Sequence, residues 1–154
     1  MPRVISGRAK LRVRTKQDHL LSFLTQQFDA VVRIESQNVD MQIRGLLGHV
    51  WHLEVHGGVL QINGEEKQWH GIPARWLASL IVGKVPCMMQ GGYTRKEGDA
   101  LIVLIEPRTI MRIFVDHTVF ETDQKKVMDV HFSDGHTLIE SPEGSIDVAW
   151  RADP

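Results

Sequence analysis

The chain is poor in cysteine and in net charge, and it has no long apolar run. Its single cysteine, Cys87, excludes an intrachain disulfide and any zinc site built from cysteines. A formal net charge of −1 gives no global attraction to nucleic acid or to an anionic membrane. No apolar stretch approaches the ~18 residues that suggest a membrane-spanning helix. The opening Met-Pro-Arg-Val-Ile-Ser-Gly has neither the apolar core nor the cleavage site of a secretory signal. On composition the chain is therefore cytosolic, or the processed form of an exported protein. A Gly-x-Ser-x-Gly elbow and a glycine-rich phosphate loop are both missing. With 154 residues, 42% hydrophobic and 24% charged, the chain suits one domain over residues 1–154, and disorder is a poor account of it.

What is present reads mostly as strands. Over residues 7–15, Ala9, Leu11 and Val13 alternate with Arg8, Lys10, Arg12 and Arg14. Strands follow at about 19–27, 30–36 and 38–44, the last alternating Val39, Met41 and Ile43 with Asp40, Gln42 and Arg44. After Gly45-Leu46-Leu47-Gly48, Trp51, Leu53 and Val55 alternate with His52, Glu54 and His56. Gly57-Gly58 and Asn63-Gly64 are hairpin signals, the second favouring a type I′ turn. Gly91-Gly92 opens a connection, and strands are predicted at 100–106, 109–115, 117–121, 126–132, 136–140 and 145–150. One helix interrupts this run. Pro73 suits its first turn and Gly83 its end, and Ile72, Trp76, Leu77, Leu80 and Ile81 form a single stripe. So short a helix needs an apolar support, which points to a curved antiparallel sheet closed by a plug.

Candidate chemistry is sparse. The stripe Arg8, Lys10, Arg12, Arg14 and Lys16 suits a phosphate-bearing ligand, a lipid headgroup or an acidic partner; a solvated face that protects a sheet edge is the favoured account. No aromatic residues interleave with it, so nucleic-acid bases have no stacking platform. His52 and His56 lie roughly 13 Å apart on one strand face, too far for one ion, and His49 lies opposite. His131 and His136 flank a turn without a ligand set around them, so no metal and no cofactor is expected. Cys87 beside Met88 and Met89 reads as packing, Asp116 and His117 are expected on opposite faces, and Glu65-Glu66 is expected in a turn. No catalytic residue is assigned. Leu46 and Leu47 leave two readings open: one leucine tucks under the sheet rim, or the loop is a protruding contact for a lipid or membrane.

The pattern resembles the bacterial lipoprotein-localisation family (LolA/LolB-like), nearer its outer-membrane receptor branch. Gly7-Arg8-Ala9-Lys10-Leu11 is similar to the family's opening strand, and Leu46-Leu47-Gly48 to its Pro-Leu-Gly turn with leucine for proline. Ile72-Pro73 through Leu77, Ile81, Gly83 and the region of Pro86 is similar to the family's helix. The motifs cover roughly residues 5–87; residues 100–150 match only as a strand pattern. There is no lipobox cysteine, and the segment from Asn63 to Ile72 is shorter than the family's. The resemblance implies an all-β fold with one short helix: an unclosed antiparallel barrel of about eleven strands with a helical plug or lid. It implies non-catalytic binding of lipoprotein acyl chains in an apolar concavity, for sorting to or insertion into the outer membrane. Partners would be acylated lipoproteins or another lipid, a periplasmic carrier and a membrane surface, in the periplasm or at the outer membrane. Leu46, Leu47, Trp51, Leu53, Val55, Trp76, Leu77, Leu80 and Ile81 are the lipid-binding candidates, with Leu47 in the place of the receptor's protruding leucine. The alternatives are an interaction module with a filled core, or an enzyme recruited onto this scaffold.

Overall fold

The computed structural model describes residues 4–16, 23–68, 72–83, 93–106, 109–133 and 135–154. Among the described residues, thirteen strands form one antiparallel sheet. They are β1 (Val4–Lys16), β2 (Phe23–Glu35), β3 (Asn38–Gly45), β4 (Val50–His56), β5 (Val59–Ile62), β6 (Glu65–Lys67), β7 (Tyr93–Glu97), β8 (Ala100–Glu106), β9 (Thr109–Ile113), β10 (His117–Thr122), β11 (Lys125–Ser133), β12 (His136–Ser141) and β13 (Gly144–Ala152). The chain begins in the middle of this sheet. β1 pairs with β2 on one side and β13 on the other, so one half runs outward to β6 and the other returns from β7. β6 and β7 are the two edges, and the sheet is not closed.

Several sequence expectations change. Residues 23–27 and 30–35 of two expected strands belong to one strand, β2, which runs unbroken beside β1, while 19–22 lie outside the described residues. Glu65-Glu66 is not a turn; it begins β6, where Lys67 lies 3.3 Å from Glu65. Counting β6 and β7 raises the total from about eleven to thirteen. The basic stripe does not guard an edge, because β1 is central. Cys87, Pro86, Gly91-Gly92, Pro107-Arg108 and Asp134 lie outside the described residues.

Turn chemistry fits where it is described. Asn63 and Gly64 both take positive φ, 53° and 81°, as a type I′ hairpin requires. At Gly7 the constraint is space: a Cβ would stand 2.5 Å from both the Arg151 carbonyl oxygen and the Trp150 ring. Glycine there lets Trp150 close over β1.

The helical segment is a 3-10 turn, Ala74–Trp76, running into α1, Leu77–Ile81. Pro73 precedes it, and Gly83 ends it at φ 78° with its N–H donating to the Leu80 carbonyl. The predicted stripe is only half the account, because Ala74 and Ala78 are buried as well. The segment therefore has two apolar sides. Ala74, Ala78 and Ile81 join a core cluster with Val32, Val39, Met41 and Val55 from β2–β4. Ile72, Trp76 and Leu80 join a second cluster with Val103, Met111, Phe120 and Val130 from β8–β11. Leu80 is fully buried, and Trp76 meets Phe120 with ring centroids 6.3 Å apart. Leu80→Ala should destabilise the fold by about 2–5 kcal/mol in urea unfolding, and half-buried Leu77→Ala by clearly less. Equal losses at the two positions would contradict this difference in burial.

Candidate functional site: an apolar loop tip at the end of the sheet

The β3–β4 connection is a tight loop. The Gly45 N–H donates to the His49 carbonyl at 2.9 Å, and the Gly48 N–H to the Gly45 carbonyl at 3.1 Å. Gly48 supplies the positive φ, 84°. These two bonds leave Leu46 and Leu47 pointing outward, 87% and 90% exposed. Neither leucine tucks under the rim. The root of the loop is aromatic: Phe28 and Trp51 meet edge to face at 5.4 Å, and both would touch a Cβ placed on Gly45.

The other candidate residues fall into three places. Trp51, Leu53 and Val55 share the inner face of β4, where Trp51 is half-buried, Leu53 packs on the first cluster and Val55 is fully buried. Leu77 and Ile81 lie against that same cluster, while Trp76 and Leu80 belong to the second. Leu46 and Leu47 stand apart from both. The plug residues thus fall in two interior clusters, the first shared with Leu53 and Val55, and the loop tip lies outside both. Among the described residues, the buried polar side chains are Thr109, Thr118 and Thr137.

The outer face carries the titratable groups. His52 bridges Asp40 at 2.8 Å and Glu54 at 3.0 Å, and His56 lies 3.5 Å from the same Glu54. His131 and His136 do not converge: His136 turns to Asp147 at 3.3 Å, while His131 stacks on His117 at 5.3 Å. Asp116 and His117 do meet, against expectation, at 2.8 Å, because Asp116 sits in the turn before β10 rather than on the strand. Among the described residues no group of three or more His, Cys, Asp or Glu side chains could hold a metal ion. Arg112, half-buried across β9 and β10, is bonded to Glu121 and lies 3.8 Å from Glu97; the Glu121 hydrogen bond raises its already high pKa. The sequence reading missed this pair because diagonal neighbours on adjacent strands appear only once the register is known.

No family model matches the chain, and no curated protein matches it.

The Asp116 carboxyl is held below its ordinary value of 3.8, chiefly by the hydrogen bond with His117 and then by a backbone hydrogen bond. A depressed folded-state pKa adds stability above the ordinary value and loses it as pH falls through the depressed one. Asp116→Asn should therefore lower the melting temperature slightly at neutral pH, and the difference should shrink as acid protonates this carboxyl. A difference that persisted in acid would contradict this assignment.

Proposed function

We propose that this chain binds acyl chains without catalysis and meets membranes through the Leu46–Leu47 tip, as a lipoprotein-sorting factor of the periplasm or outer membrane. The observation that carries this reading is the exposure of two adjacent leucines on a loop closed by two backbone hydrogen bonds. Each leucine left in water forgoes about 1.5–3 kcal/mol of burial energy. An apolar partner recovers it. Acylated lipoproteins, a periplasmic carrier and a bilayer surface are all partners of that kind.

The interior suits the same chemistry. The wall residues Leu53 and Val55 and the plug residues Trp76, Leu77, Leu80 and Ile81 are apolar, and the buried polar groups described there are neutral hydroxyls. An acyl chain entering between the plug and the wall gains about 0.8 kcal/mol per methylene, so ten methylenes bring about 8 kcal/mol. Displacing Ile72, Trp76, Leu80 and Ile81 costs about 1.5–3 kcal/mol for each side chain, a comparable sum. Such an exchange is close to balanced. That is what a factor needs if it is to accept a chain and release it again.

The burial of the plug also favours a second reading, an interaction module whose core is permanently filled. Titration with a fluorescent fatty acid separates the two, because a carrier gives saturable binding in the micromolar range and a filled module gives none. For the tip, Leu47→Glu should leave the melting temperature nearly unchanged while abolishing flotation with liposomes. A large fall in melting temperature, or flotation equal to wild type, would remove Leu47 from the contact.

A further inference from the structure

The outer face of β1 carries a charge pattern that the acyl-binding reading leaves unexplained. Arg8, Lys10, Arg12 and Arg14 stand on one face of the central strand, each about 7 Å from the next. Pairing extends the pattern sideways. Arg151 of β13 lies opposite Arg8, and Arg44 of β3 lies opposite Asp29, which itself lies opposite Lys10. These six cations line three neighbouring grooves of about 850, 480 and 480 Å³, whose lining carboxylates are Asp29 and Asp147. Asp147 already lies 3.3 Å from His136. In a chain of net charge −1 this is a local concentration of positive charge around β1, not an average surface.

The apolar residues lie in the same place. Leu46 shares a groove with Lys10, Arg12 and Arg44. Val31 and Val50, 61% and 50% exposed, line the groove of about 850 Å³ with Arg8, Lys10, Arg44 and Arg151. Cations beside exposed aliphatic side chains are the surface chemistry of a bilayer interface, where phosphates meet acyl chains. We infer that this face docks on an anionic phospholipid surface: the arginines and Lys10 take the headgroup phosphates while Leu46 and Leu47 enter the acyl layer. The inference rests on the proposed membrane contact of the leucine tip but not on acyl-chain uptake into the interior. It adds a requirement for lipid of a given charge, which the leucines alone do not impose.

Flotation of the full chain with phosphatidylcholine vesicles, with and without phosphatidylglycerol, at low and high salt, tests it. Each cation near an anionic leaflet is worth roughly fivefold in partitioning. The wild-type chain should bind the anionic vesicles far more tightly than the neutral ones, and high salt should erase the difference. The double variant Lys10→Gln, Arg12→Gln should lose roughly 25-fold on anionic vesicles, with residual binding to neutral vesicles and the melting temperature unchanged. Arg44→Gln, on another strand, should lose roughly fivefold and serves if the double variant folds poorly. Equal binding to both vesicle types, salt-insensitive binding, or unchanged binding by both variants would overturn the inference. So would saturable binding of inorganic phosphate or of an RNA oligonucleotide without a preference for anionic vesicles. Failure of fatty-acid binding alongside intact, salt-sensitive vesicle binding overturns the acyl-carrier reading and supports this one.

Discussion

An antiparallel sheet that does not close on itself has to cover its apolar inner face with something else, and here the cover is the helical segment between its two edge strands. Ile72, Trp76 and Leu80 belong to the cluster under β8–β11, and Ala74, Ala78 and Ile81 to the cluster under β1–β5. The segment is too short to be stable alone, so sheet and helix depend on each other. Two small residues matter as much as the bulky ones. Ala74 and Ala78 allow the close approach of the helix to one half of the sheet, while Trp76 and Leu80 reach across to the other. The plug is thus held by apolar side chains from both halves of the sheet.

The same sheet separates two kinds of surface by the parity of its strands. Inward positions of β1 and β2 carry Ala9, Leu11, Ala30 and Val32, all buried, while the outward positions of β1 carry four cations. A shift of one residue would exchange these faces, so the register protects the interior and the basic face together. The loop tip adds a third surface at the end of β3 and β4, apolar and exposed, beside the basic face. A basic face and an apolar interior are thus built from one strand pattern, with the exposed loop tip beside the basic face.

Much of this architecture was legible from local pattern. Alternation located β1, β3 and β4, Asn63-Gly64 located a hairpin, and Pro73 with Gly83 bracketed the helix. β2 was split because Gln26 falls on the inward phase beside Phe28 and breaks the apolar alternation. β6 was missed because Glu65-Glu66-Lys67 has no apolar residue; the type I′ turn places it in the sheet, not its own composition. The pairing of β1 with β13 has no local signal, since the partners stand at opposite ends of the chain. That pairing is what turns the basic stripe from edge protection into the middle of a broad face and brings Arg151 to it. The leucine pair was legible as an anomaly, apolar residues in a turn without alternation. Its exposure depended on whether the rim could receive it, and with Phe28 and Trp51 packed against Gly45 both leucines remain outside.

The central claim is that the plug helix and an acyl chain compete for one apolar interior. Amide hydrogen exchange along residues 74–83, with and without a saturating acylated peptide, tests it most directly, because the N–H groups of Trp76, Val82 and Gly83 are held by bonds within the segment and its flanking residues. Ligand should speed exchange at these amides while β1 and β2 stay protected. Saturable binding that leaves the helix amides as protected as before would contradict the account.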